Sequence, residues 1–177
     1  MRKFMAMLLL IVVVVSVEPP AQAGTWPRWV RPAGKQVTVQ FERTRVSTAV
    51  WAQLTSAMRV WSRSGRVDAV PVAHCANPRA YCVKVVEYRA ADHRGGHTVL
   101  YADPRTNRAW YGEVQINLYY ATTRARTAKI TCHEVGHALG AVHRTGPSCM
   151  SDGLERLYAS PSAADYAWLQ SIYRYPG

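Results

Sequence analysis

Residues 133–143 read His133, Glu134, Val135, Gly136, His137, Ala138, Leu139, Gly140, Ala141, Val142 and His143. Four residues of α-helix advance about 6 Å and rotate about 400°. His133 and His137 therefore stand one turn apart on one face, where they can share a metal ion. Glu134 lies beside the first of them, close enough to reach a metal-bound water without being a ligand. Gly140 can take the left-handed conformation that ends a helix sharply. The chain can then turn back and offer His143 as a third ligand. Three imidazoles leave one position for water, which is the layout of a catalytic zinc site rather than a closed structural one. Any one of these histidines alone would be an ordinary surface or core residue. Half of the six in the chain fall at the required places, and with Glu134 and Gly140 included a chance match is on the order of 10⁻⁵.

The elements that must hold these residues follow from periodicity and punctuation. Thr122 or Thr123 can start the helix that carries the two first histidines, and Gly140 stops it. Upstream, residues 36–42 alternate strictly, with Val37, Val39 and Phe41 on one face, as in a half-buried strand. Ser47 or Thr48 can cap a helix reaching residue 62, whose Val50, Leu54, Ala57, Met58 and Trp61 form one apolar stripe of core residues. Residues 67–72 and 81–88 read as strands, residues 98–102 as a short strand, and residues 113–120 as another alternating one. Residues 103–107 form a turn and residues 24–34 an irregular lead-in. A last helix opens near Ser160, Pro161 or Ser162 and runs to 173, with Asp165 placed for a dipole and capping effect. The order predicts a single α+β domain.

The 133–143 segment is the HExxHxxGxxH signature, and with it the chain resembles the metzincin zinc endopeptidases. Met150, in the run Ser148, Cys149, Met150, Ser151, sits where metzincins have the Met-turn, whose methionine packs beneath the metal site. Residues 132–140 are similar to the matrixin branch, as are residues 162–166 with Ile172 and Tyr173, and more weakly residues 57–62. The resemblance spans about 47–174 and is most specific over 132–150. It implies an α+β zincin fold: a twisted mixed sheet, an active-site helix, the Met-turn and a C-terminal helix around a cleft. It also implies that residues 113–120 form an antiparallel edge strand above the cleft, to which a peptide substrate adds. Leu154, Leu157 and Tyr158 would wall the pocket for the side chain after the cut.

By the same resemblance, one catalytic Zn²⁺ on His133, His137 and His143 activates water, and Glu134 is the general base, with Gly140 and Met150 as structural support. Three departures stand out. Arg144 follows the third histidine, where matrixins mostly have Ser. No propeptide with a cysteine switch is expected. Position 152, where astacins and serralysins carry an oxyanion-stabilising Tyr, is Asp. Asp92, His93 and His97 lie where matrixins bind a second zinc, but the ligand set is incomplete and no second zinc is expected.

Composition places this site in a compartment. Arg2 and Lys3, an apolar run over 5–17 and the small residues Ala21 and Ala23 form a signal peptide, with cleavage expected after Ala23. The organisation is thus a signal peptide at 1–23 and one catalytic domain at 24–177. Removing 1–23 takes two basic residues and one acidic residue, leaving 154 residues and changing the net charge from +11 to +10. The expected product is secreted, monomeric, and not membrane-inserted once the signal is removed. In an oxidising compartment Cys75, Cys82, Cys132 and Cys149 suggest two disulfides. Three connectivities are possible, and sequential pairing closes the two shortest loops. A Cys132–Cys149 bond would tie the active-site helix to the Met-turn. The expected partner is a protein or peptide substrate, with the Arg excess favouring an acidic one. A competing reading is a secreted basic module binding an anionic envelope polymer or nucleic acid with a vestigial zinc site, supported by Arg124, Arg126 and Lys129. Those charges are scattered, and no specific nucleic-acid motif accompanies them.

Overall fold

A computed structural model of the 177-residue chain describes residues 26–30, 32 and 35–174. The signal segment assigned to 1–23 lies outside the described residues. Six strands and three helices follow in the order β1 (Arg28–Trp29), β2 (Val37–Arg45), α1 (Thr48–Ser62), β3 (Val67–Val72), β4 (Cys82–Tyr88), β5 (Gly96–Ala102), β6 (Arg108–Asn117), α2 (Arg124–Ala138) and α3 (Ala163–Ile172).

The sheet order is β1-β6-β4-β2-β3, with β5 also paired to β6. Every pairing is parallel except β5 with β6. Parallel neighbours need a crossover between them, and α1 supplies it between β2 and β3. Alternation along β2 buries Val37, Val39 and Phe41, as the sequence pattern requires, and Val83, Val85, Val114 and Ile116 continue that face across β4 and β6. Onto it pack the expected stripe of α1 (Val50, Leu54, Ala57, Met58 and Trp61) and, from α2, Ile130 and Val135. Ser47 caps α1 by accepting from Val50 N, and Thr123 caps α2 by accepting from Arg126 N.

Two expectations are corrected. The antiparallel strand is β5, not residues 113–120. Residues 103–107 make a tight hairpin: Asp103 Oδ1 accepts from Arg105 N at 2.8 Å and Thr106 N at 2.9 Å, and Asn107 takes φ 53°. So short a connection can only return the chain antiparallel. Strand β6 also begins earlier, at Arg108, and stops at Asn117. There the buried Asn117 amide donates to Ala90 O at 2.7 Å and Arg94 O at 2.9 Å, while its oxygen accepts from Tyr119 N at 3.0 Å. A side chain that competes so effectively for backbone partners ends the ladder. The second correction concerns the lead-in, which is not wholly irregular: Arg28 and Trp29 form a parallel bridge to β6 through Arg108 and Ala109.

Candidate metal centre

Helix α2 carries His133, Glu134 and His137, and its end delivers His143. Leu139 is the C-cap, and Gly140 follows with φ 93°. Gly140 N bonds to His137 O at 3.0 Å and Ala141 N to Gly136 O at 2.9 Å, the paired bonds of a Schellman ending that reverses the chain. The three Nε2 atoms then converge: 3.0 Å from His137 to His133, 3.0 Å from His137 to His143 and 3.2 Å from His143 to His133.

The outer nitrogens decide what faces inward. His133 Nδ1 lies 2.8 Å from Cys149 O, and His137 Nδ1 lies 3.0 Å from Ala141 O. A carbonyl only accepts, so each Nδ1 carries the proton and each neutral ring points a bare Nε2 lone pair at the others. Burial pushes His133 down to about 4 and His137 down to about 3, which keeps both neutral near pH 7. The outer nitrogen of His143 lies 2.9 Å from Asp152 Oδ1, which sets the same tautomer. Three lone pairs meeting at 3 Å have no proton to share. A borderline-soft cation with an affinity for imidazole fits this donor set.

Glu134 sits beside the cluster, almost fully buried. Thr98 of β5 donates its hydroxyl to Glu134 Oε2 at 2.6 Å and contacts Glu134 O at 3.1 Å. A Cβ at Gly96 would lie 2.6 Å from Glu134 Cγ, so the strand can run this close to the carboxylate only with glycine there. Burial raises the Glu134 carboxyl from 4.5 to about 7, against the lowering effect of the Thr98 hydrogen bond and the Lys129 charge.

The end of α2 presents carbonyls that its backbone ladder leaves wholly or partly unsatisfied, and aromatic side chains donate to four in succession. Trp26 Nε1 donates to His137 O at 2.9 Å, Trp29 Nε1 to Ala138 O at 2.7 Å, Tyr173 OH to Leu139 O at 3.1 Å and Trp168 Nε1 to Gly140 O at 2.9 Å. The lead-in and α3, at opposite ends of the described chain, thus clamp the same turn. Trp61 Nε1 of α1 donates to Cys132 O at 2.9 Å. Beneath the site Met150 is fully buried, and a Cβ at Gly136 would collide with its sulfur and with the Trp61 ring.

The disulfides are Cys75–Cys82 and Cys132–Cys149, the pairing that closes the two shortest loops. The second joins α2 to the segment carrying Met150. That segment is also held by Lys129, which donates to Cys149 O at 2.6 Å and to Ser151 O. Lys129 is buried, and burial pushes its ammonium down to about 8. It is therefore not part of a basic surface, which removes one of the three charges behind the binding-module reading. Arg144 finds the fully buried Asp165 at 2.8 Å. The approach is off the hydrogen-bonding direction, so the contact is one of charge to charge. Asp165 also completes a capping box with Ser162, adding a buried ion pair to the capping role expected of it.

A cleft of about 960 Å³ opens over the cluster between α2, β5 and the segment after Met150. Leu154 lines it, whereas Leu157 and Tyr158 are not among its lining residues. His93, His97, Arg94 and Arg126 line it too. Among the described residues one other group could hold a metal by proximity, Glu42 with Cys75 and Cys82, but both sulfurs are in the disulfide. Trp26, Thr98 and the outer partners of the histidines are the site residues that sequence reading did not assign. Only Lys129 left a trace, one helical turn before His133 on the same face.

No family model and no curated protein matches the chain. Solved structures do. Myroilysin aligns with a TM-score of 0.54 and 13% identity over 85% of this chain and 97% of its own. High choriolytic enzyme 1, a hatching enzyme zinc-protease from the medaka fish Oryzias latipes, aligns with a TM-score of 0.52 and 15% identity over 86% and 97%. At such identities the likeness is one of fold, and the fold is the α+β zincin type that the HExxHxxGxxH resemblance implied.

Proposed function

We propose that this chain is a secreted zinc endopeptidase. The observation that carries the reading is the convergence of three imidazole lone pairs beside a buried carboxylate in an open cleft. His133, His137 and His143 would hold one Zn²⁺, which when bound supplies a Lewis acid for the scissile carbonyl and for water. Glu134 takes a proton from the attacking water and returns it to the leaving amine. Its burial beside the cluster places the carboxylate for both transfers. Thr98 fixes the carboxylate's orientation from β5. Among the described residues that strand pairs with β6 alone, so its other edge is placed to take main-chain hydrogen bonds from an extended peptide. Gly140 and Met150 shape and support the site without touching substrate.

Secretion is supported by the n-region and apolar run of 1–23 and by two disulfides of the kind that persist in oxidising compartments. No helix among the described residues is long and apolar enough to cross a membrane. The basic charge of the chain, with Arg94 and Arg126 on the cleft wall, supports a preference for acidic protein or peptide substrates. A vestigial binding module would have no need of a carboxylate buried beside the histidines.

Metal analysis tests the centre directly. The purified protein dialysed against zinc is expected to retain one equivalent, and His137→Ala to retain far less. Retention of a full equivalent by His137→Ala would overturn the assignment.

A further inference from the structure

We propose that Asp152 is a positioning residue for His143, holding its ring so that Nε2 stays aimed into the cluster and zinc binds more tightly. The inference rests on reading the cluster as a zinc site. The three rings are not held alike. His133 and His137 stand on α2 and lean on the backbone carbonyls of Cys149 and Ala141. His143 lies beyond the helix end, with its side chain 53% exposed, and its ring meets the His133 and His137 rings on its inner side. Its outer nitrogen is held instead by Asp152 Oδ1 at 2.9 Å.

The Asp152 side chain is 76% exposed, yet its backbone is anchored. Arg144 N bonds to Met150 O at 3.0 Å, tying the residue after His143 to the segment just before Asp152. Ser151 O, one residue from Asp152, accepts from the buried Lys129. The carboxylate is therefore delivered to the ring from a fixed base. An exposed contact of this kind contributes little to stability. A carboxylate behind a metal-bound histidine instead fixes ring orientation and raises ligand basicity, and losing such a partner costs about 10- to 100-fold in metal affinity. Under the family resemblance the oxyanion-stabilising role at position 152, two residues past Met150, has no occupant; Asp152 takes a different one.

The test is competition for zinc between the full folded chain and a chromogenic chelator, with circular dichroism confirming the fold of each variant. Asp152→Ala and Asp152→Ser are expected to bind zinc about 10- to 100-fold more weakly than the parent. Asp152→Asn, which keeps an acceptor oxygen in place, is expected to lose less. Glu155→Gln removes a charge from the same segment and is expected to match the parent. In the metal-free parent, nitrogen chemical shifts should show His143 protonated at Nδ1, and in Asp152→Ala a mixture of tautomers. Parent-like affinity in whichever of Asp152→Ala and Asp152→Ser folds would overturn the proposal. So would an equal loss in Glu155→Gln, which would make the effect one of long-range charge. If the parent binds zinc and the Asp152 variants match it, this proposal fails alone. If the parent binds none, the zinc reading fails with it.

Discussion

Glu134 and the two buried histidines give the metal-free protein a pH dependence whose sign can be worked out. His133 and His137 are depressed below 6.5. Unfolding therefore takes up protons on both, and stability falls as pH drops through the window from 6.5 to about 4. Glu134 is raised from 4.5 to about 7. The folded state holds that proton between the two values, and stability falls as pH rises there. Two against one leaves a net uptake of about one proton on unfolding between pH 5 and 6, or about 1.4 kcal/mol more stability per pH unit. Urea midpoints of the metal-free protein at the two pH values measure this, and Glu134→Gln should steepen the slope toward two protons. A flat or inverted slope would contradict the burial assigned to the histidines. Thr98 gives a second prediction at this scale. A hydrogen bond to a charged group contributes about 1.5–3 kcal/mol, so Thr98→Val should lower kcat about 10-fold with KM near that of the parent, and Thr98→Ser should restore most of it. The histidines and Glu134 were legible because helical periodicity relates residues a few positions apart. Thr98 lies 36 positions from Glu134, and no local pattern points across that gap.

The elements explain why the cluster is assembled at all. Helix α2 alone presents two histidines, and the third arrives because Gly140 ends the helix and four aromatic donors hold the turn. Gly136 is where α1, α2 and the Met150 segment meet, with no room for a side chain. Overpacking of this kind costs about 1–3 kcal/mol, so Gly136→Ala should lower the denaturation midpoint accordingly and weaken zinc retention by displacing Met150. Unchanged stability would mean that the three elements are not packed this closely. The helices and most strands were readable in advance, since Ser47, Thr123 and Ser162 cap at the expected places. The antiparallel strand was not. Its identity depends on which strand the hairpin at 103–107 folds onto, and alternation in 113–120 is blind to pairing direction.

At the scale of the whole molecule, the net charge of +11 first suggested an anionic partner. The fold redistributes that charge: Lys129 is buried under the Met150 segment and Arg144 is paired with Asp165, while Arg94 and Arg126 remain on the cleft wall. The tryptophans also acquire a purpose that composition could not supply, because Trp26, Trp29 and Trp168 join the two ends of the described chain to the turn before His143. The central claim is that this assembled cleft hydrolyses peptide bonds with Glu134 as base. Its most direct test is incubation of the zinc-loaded protein with a peptide library read by mass spectrometry, beside Glu134→Ala and a chelated control. The expected result is cleavage by the parent, enriched at sites flanked by acidic residues, loss in the chelated sample, and at least a 10²-fold loss in a Glu134→Ala variant that still retains zinc. Equal cleavage by parent and Glu134→Ala, or no cleavage of any peptide by the zinc-loaded parent, would contradict it.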